Sequence, residues 1–348
     1  MREIDQILDL WAHSERAGES AVLATVVRTA GSSYRLPGAR LLLTRTGQRA
    51  GSVSGGCLED DLVKKAWWLT ESGPVIRRYD TTPDGEIAAA YGLGCNGIIH
   101  VLLERVTPGH AEILDLLREV RATRCARTIA HVLEPAARAG ERILLDSPDA
   151  LGLHDVQAFV ETLAPPVHLL IFGAGDDAVP LADLAKFVGW RVSVYDGRAH
   201  YARKEKFPRV DELIVRPPAE SAANVPIDPW TVAVLMSHSY RQDLEALREL
   251  STKPLRYLGI LGPRKRSSEL LANAGLDPVR LTPALHSPMG LDIGADGPHQ
   301  VALAVIAEIQ ATLNGREGGL LREGRGSIHA PGEASAPAAD WAQSIVCA

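Results

Sequence analysis

Two cysteines sit inside glycine-rich segments, and their setting is the first place in this sequence where chemistry can be read. Cys57 lies in GSVSGGCLEDD (51–61) and Cys95 in YGLGCNG (91–97), 38 positions further on. Glycines such as Gly55 and Gly56 let a backbone approach a ligand closely. Cys57 also precedes a run with Val63, Ala66, Trp67 and Leu69 at helical spacing, and a helix N-terminus favours the thiolate form. A thiolate is a soft donor suited to transition metals and sulfur chemistry. The alternative for each is a small buried thiol packed beside a tight turn. Cys125 and Cys347 have no such context. With no CxxC and no HExxH pair, the four cysteines give no zinc pattern and no disulfide framework, so a functional cysteine is expected to be a lone thiol.

A second constellation occupies the C-terminal half. IFGAGDDA matches G-x-G-x-x-A at Gly173, Gly175 and Ala178, directly after an apolar strand and at the opening of a helix. Asp196 ends the next strand, where a dinucleotide fold places its ribose-binding carboxylate. Asp176 and Asp177 stand where a pyrophosphate would rest on free N–H groups, so they either cap the helix or repel phosphate. Arg198 offers a phosphate partner instead. The ends of later strands supply Ser237, His238 and Gly262-Pro263-Arg264. His238 reads as a proton carrier or cofactor contact, or else as a histidine bonded within its turn. Arg264, with Lys265 and Arg266, reads as an anion site or a solvated face.

The elements that must position these residues fall into two patterns. Residues 2–18 read as a helix, with Ile4, Ile7, Leu8 and Trp11 at helical spacing and Gly18 as its stop. Strands follow at 21–29, 39–47, 74–80 and 98–106, with turn-forming residues between them. This gives an α+β domain over 1–107. Residues 108–165 read as a joining segment, with a helix in AEILDLLREV and strands in RTIAHVLE and ERILLDS. From 166 strands and helices alternate as far as HQVALAVIAEIQATL (299–313). That pattern predicts a Rossmann-like, doubly wound parallel sheet over 166–326. The tail over 327–348 is rich in Ala, Pro, Gly and Ser and is expected to be disordered.

Composition limits the function classes. With 46% hydrophobic and 23% charged residues the 348-residue chain is ordinary globular material, long enough for two domains. A formal charge of −6 gives no electrostatic footprint for nucleic acid. No uncharged apolar run has membrane-spanning length, and MREIDQILDLW lacks the apolar stretch of a signal peptide. A cytoplasmic protein with no membrane association is expected.

Together, GSVSGGCLEDD (51–61), GLGCNGIIHVLLE (92–104), IFGAG (171–175), MSHSYRQDLEAL (236–247), YLGILGPRKR (257–266) and GLDIGADGPHQVALAVIAEI (290–309) resemble the XdhC/CoxI family. These are accessory proteins of xanthine dehydrogenase and carbon monoxide dehydrogenase. The blocks span most of residues 10–315 in the family's order. The resemblance implies an N-terminal XdhC/CoxI-type domain, a C-terminal Rossmann-like domain and a homodimer. It further implies a chaperone that binds molybdenum cofactor, as molybdopterin or its cytosine dinucleotide, protects its sulfido form and inserts it into an apo-hydroxylase. A cysteine desulfurase is the other implied partner. Cys57, with Cys95, would then face molybdenum as ligand or sulfur relay. Gly55, Gly56, Gly173, Gly175, Asp196, Arg198, His238 and Arg264 would hold the cofactor. The family's glycine turn continues with a histidine and an apolar residue, which Asp176 and Asp177 replace here. The competing reading is an oxidoreductase using NAD(P) or FAD. Against it stand the paired aspartates and the lack of an evident catalytic His–Asp or Lys–Tyr set in the second domain.

Overall fold

The computed structural model describes residues 2–82, 97–145, 156–277, 281 and 285–323. Cys95, Cys347 and the segment expected as a tail lie outside them. The chain divides into two compact units, Met1–Pro165 and Pro166–Ala348.

The first unit begins with helix α1 (Arg2–Arg16), strands β1 (Ala21–Gly31), β2 (Arg40–Thr44) and β3 (Arg49–Gly51), and helix α2 (Cys57–Leu69). Strands β4 (Val75–Asp80) and β5 (Gly97–Val106) complete an antiparallel sheet in the order β3-β2-β1-β5-β4. Side chains alternate across a strand, so β1 serves two layers at once. Val22, Ala24 and Val26 pack with Leu58, Leu62 and Ala66 of α2. Ala21 and Leu23 point the other way, to Ile7 and Trp11 of α1. The stretch expected as a joining segment is folded within this unit. Helix α3 (Glu112–Thr123) joins the α1 side through Ile113, Leu114 and Leu117. Strands β6 (Arg127–Glu134), β7 (Arg142–Leu145) and β8 (Gln157–Leu163) form a second sheet in the order β7-β6-β8.

The second unit is a parallel sheet in the order β11-β10-β9-β12-β13-β14. Its strands are β9 (His168–Phe172), β10 (Arg191–Tyr195), β11 (Glu212–Ile214), β12 (Thr231–Leu235), β13 (Leu258–Ile260) and β14 (Leu285–His286). Helices α4 (Ala178–Phe187), α5 (Pro218–Asn224), α6 (Tyr240–Leu250), α7 (Arg264–Ala274) and α8 (Pro298–Leu313) connect and cover them. Every residue of β9 and β12 is buried, as a sheet covered on both faces requires. Leu169 and Ile171 face α4 and α8, whereas Leu170 and Phe172 face α6 and α7. Sequence order reverses between β9 and β12, which makes the carboxyl ends of these two strands the switch point where such folds bind ligands. One crossover breaks the alternation. From β10 to β11 the chain runs as turns, anchored by buried Ala202 and Phe207.

Candidate functional site

In the first unit the site is built on one acid. Glu59, the third residue of α2 and nearly fully buried, turns its carboxylate back onto the preceding loop. Oε1 accepts the N–H groups of Val53 (2.9 Å) and Ser54 (2.8 Å), and Oε2 accepts Gly56 N–H (3.1 Å) and the Ser54 hydroxyl. Ser54 Oγ in turn accepts from Leu58 N at 3.1 Å. Burial alone would raise the Glu59 pKa, but the Ser54 hydroxyl and the loop N–H groups hold it below the usual carboxylate value. The curled loop delivers Cys57 as the first residue of α2. Gly56 takes a φ of 117°, and a Cβ at Gly55 or Gly56 would meet nothing within 4 Å. Both glycines therefore border open space. Their expected role narrows accordingly: Gly56 N–H already serves Glu59, so these residues offer room for a ligand more than hydrogen bonds.

In the second unit Gly173 ends β9 with a φ of 129°. A Cβ there would lie 2.5 Å from the backbone of Met236, so only glycine lets the ends of β9 and β12 touch. A Cβ at Gly175 would lie 2.4 Å from Asp177 Oδ1. Asp177 precedes α4, yet its side chain caps nothing. It accepts instead from His238 Nε2 at 2.8 Å. His238 leaves β12 in a left-handed conformation (φ 57°) with its ring 60% exposed. That backbone is costly for a side-chain-bearing residue and here accompanies an aspartate-oriented imidazole at the switch point. Behind it, buried Asp243 accepts Ser237 Oγ at 2.5 Å and the Arg266 guanidinium at 2.6 Å.

Asp196 is fully buried and fully engaged. It accepts Ala174 N (2.9 Å), Arg198 N (2.9 Å), Arg198 Nε (2.8 Å) and Arg198 Nη2 (2.8 Å). Burial opposes its ionisation, and the Arg198 guanidinium and Ala174 N–H together lower its pKa all the same. Arg198 also donates to Ser237 O at 2.9 Å and lies over the Tyr201 ring at 4.3 Å. Asp196 thus has both oxygens doubly engaged, whereas Arg198, bonded through Nε and Nη2, keeps its side chain 27% exposed. Asp176 pairs with Lys206 at 2.7 Å, and that hydrogen bond depresses its pKa. Arg264, the first residue of α7, is exposed and without a side-chain partner among the described residues.

A family model described as the XdhC Rossmann domain matches residues 169–309, and one described as the XdhC and CoxI family matches residues 14–80. Over 317 residues the chain is 34% identical to a Bacillus subtilis protein named as a probable subunit of xanthine dehydrogenase, covering 84% of this chain and 93% of that relative. The chain belongs to the XdhC and CoxI family. It is also 25% identical over 298 residues to the molybdenum cofactor insertion chaperone PaoD of Escherichia coli, covering 84% of this chain and 83% of PaoD. A crystal structure from Bacillus halodurans, described as a xanthine dehydrogenase, matches with a TM-score of 0.78 at 31% identity, over 94% of this chain and 98% of that one.

For this XdhC-type chain, sequence and structure agree and differ in particular places. The Rossmann-like sheet is present, and Gly173, Gly175, His238 and Asp196 gather at its switch point. A His–Asp pair, which the sequence did not offer in the second domain, exists as His238–Asp177. Asp177 is thus no helix cap, and neither aspartate is an unpaired repulsive charge. Arg198 is tied to Asp196, which leaves Arg264 the freer cation. Cys125, expected to be an incidental thiol, is disulfide-bonded. Glu59 follows the N-cap Gly56 by three positions and accepts its N–H, one half of a capping box and a signal local to the sequence. No described helix is long and apolar enough to cross a membrane.

Proposed function

We propose that this chain holds molybdenum cofactor and inserts it into an apo-hydroxylase of the xanthine dehydrogenase type, with carbon monoxide dehydrogenase as a second client class. The observation that carries this reading is the Gly55–Gly56–Cys57 turn, a cysteine at the head of α2 beside glycines that border open space. The names of the Bacillus subtilis and Escherichia coli relatives support it.

The residues present fit such a group. A soft sulfur donor suits molybdenum. Exposed Arg264 and His238 suit the phosphate and polar edge of a pterin, and the engaged Asp196 removes the anchor an adenine dinucleotide would use. When bound, the cofactor brings the redox-active metal and its terminal sulfur, which are the client's chemistry. This chain's residues bind and shield. Glu59 fixes the loop that presents Cys57, as metal contact or sulfur relay. In the second unit, taken by itself, exposed Arg264 suits a phosphate through charge-assisted hydrogen bonds, and His238, oriented by Asp177, is suited to hold or donate a proton. Protection of the sulfido form, transfer from a cysteine desulfurase, a homodimeric state and a cytoplasmic location belong to the same proposal. The choice between molybdopterin and its cytosine dinucleotide rests with the assay.

The test is purification from a host that makes molybdenum cofactor, with bound pterin assayed as its fluorescent oxidation product. Near-stoichiometric pterin in wild type, with loss in Cys57→Ala, is expected. Pterin in both would keep the carrier and move Cys57 to structure or sulfur transfer. No pterin above a control protein, with NAD(P) or flavin bound instead, would overturn the reading.

A further inference from the structure

Helix α2 presents Cys57 at its head, and its outer side carries a face that no described element covers. Val63, Lys64, Trp67 and Trp68 recur at three- and four-residue spacing and therefore share that face. Val63 is 40% and Trp68 70% exposed, whereas the half-buried Trp67 packs inward on the core of the sheet. Between this face and the turn joining β2 to β3 lies a small cavity of about 220 Å³, lined in part by Leu43, Gly47, Val63 and Trp67. Sites for small molecules run from about 300 Å³ upward, so this one suits a single side chain. An isolated exposed apolar residue means little, but a contiguous strip with two tryptophans and a cleft marks an interaction surface.

The charges around the strip decide what it fits. Arg45 lies over the Trp67 ring at 4.5 Å and Arg105 at 5.6 Å. A guanidinium stacked on an aromatic ring keeps N–H groups at its edge for a further acceptor. Arg105 donates to Thr70 Oγ1 (3.1 Å) and Trp67 O (2.6 Å), both uncharged acceptors. Arg45 and Lys64 are exposed, and neither has an acidic partner among the described residues. The neighbouring acids of α2 are taken, Asp61 by Lys65 at 2.6 Å and Asp60 by Arg49 at 3.6 Å. Glu71, just past the helix, is exposed and offsets at most one of the three cations. Positive charge is thus in surplus beside apolar surface, on a chain whose formal charge is −6.

We propose that this face of α2 docks an acidic segment of a partner protein, with one apolar side chain of that segment seated between Val63 and Trp67. Carboxylates of the segment meet Arg45, Lys64 and Arg105 as complementary charge, and Trp68 is buried by the contact. A single-stranded nucleic acid also combines stacking with positive charge, but it needs a basic groove that tracks a run of phosphates. Here the cations gather around one cleft of side-chain size. At the helical rise of about 1.5 Å per residue, Trp68 stands roughly 16 Å along the axis from Cys57. A partner docked there leaves the glycine turn open, so the inference stands apart from the carrier function proposed above.

Fluorescence anisotropy of the full chain with short labelled peptides tests it. The probe is a peptide of glutamates and aspartates around a central phenylalanine. Its controls carry alanine at the centre, or lysines in place of the acids, and labelled oligothymidine stands for nucleic acid. The probe is expected to bind at least about tenfold more tightly than any control, and more weakly as salt rises. Trp68→Ala and Arg45→Glu/Lys64→Glu should each weaken it by about tenfold or more while leaving the denaturation midpoint near that of wild type. Lys64→Glu alone, at an exposed position, should act in the same direction and keeps the test open if the double variant unfolds. Equal binding of acidic and basic peptides overturns the proposal, as does no binding of the probe or wild-type binding by the variants. Tighter binding of oligothymidine would assign the face to nucleic acid instead. Self-association that Trp68→Ala abolishes, with no peptide bound, would assign it to a second copy of this chain.

Discussion

Glu59 spends both carboxylate oxygens on the loop that precedes it, and that makes a single acid responsible for where Cys57 sits. Replacing it by glutamine turns one acceptor oxygen into a donor and leaves some of the Val53, Ser54 and Gly56 N–H groups short of a partner. Losing charge-assisted bonds at a buried site costs about 1.5–3 kcal/mol. Glu59→Gln is therefore expected to lower the denaturation midpoint of the first unit and to reduce retained pterin toward the level of Cys57→Ala. The pH dependence follows in sign. Because the folded-state pKa lies below the usual 4.5, the stabilisation is present above that value and disappears as pH falls through the depressed one. The gap between wild type and Glu59→Gln should close in acid, which denaturation midpoints measured between about pH 7 and pH 3 would reveal. A gap that persists unchanged would mean that Glu59 is not ionised in the fold. At this scale the sequence is half readable. The spacing of Gly56 and Glu59 is local, so a capping pattern marks it. The His238–Asp177 pair joins residues 61 positions apart, and only the closing of β12 onto β9 brings them within 2.8 Å.

At the scale of elements, the strand that is apolar on both faces and the glycines after it identify the parallel sheet, because a doubly covered strand must be apolar throughout. What such a pattern cannot reveal is a crossover that forgoes its helix. The turns between β10 and β11 are fixed by Ala202 and Phe207 reaching the core, which are tertiary contacts without local periodicity. Gly173 shows how tightly the neighbouring elements meet. Gly173→Ala would push a Cβ to within 2.5 Å of Met236 backbone atoms, which cannot rotate away. With overpacking and backbone strain combined, a cost of about 2–4 kcal/mol is expected. Gly56→Ala has a comparably unusual φ of 117° but meets no atom within 4 Å, so it should cost only about 1 kcal/mol. Urea midpoints of the two variants separate crowding from backbone strain. Equal losses would show that the contact between β9 and β12 contributes nothing beyond the glycine conformation.

At the scale of the whole molecule, each unit carries its own core, and the first is assembled from two sheets joined by apolar contacts, Val27 and Leu102 against Leu133 and Phe159, and by a buried ionic cluster. Arg40 of β2, Glu161 of β8 and His131 of β6 form one ionic cluster. Arg40 and His131 both bond to Glu161 Oε1, the latter at 2.7 Å. The side chain of His131 is completely buried and that of Arg40 nearly so. Strand β8 was the least legible element for this reason. QAFVETL lacks clean alternation, and its identity depends on pairing with β6 some 30 residues earlier. Removing one partner of a buried ionic cluster strands the others, at a cost of about 3–5 kcal/mol. Glu161→Ala is expected to destabilise the first unit by that order. Arg40→Met with Glu161→Leu, which removes charge from both sheets at once, should recover part of the loss. Burial would raise the Glu161 pKa, but the Arg40 charge and the His131 hydrogen bond hold it below the usual 4.5. Its contribution is thus complete above that value and vanishes as pH falls through the lowered one. Thermal melts of wild type and Glu161→Ala should converge in acid and diverge toward neutrality. If instead the two melt alike at neutral pH, the sheets are joined by their apolar contacts alone, and the cluster serves only to align β8 on β6.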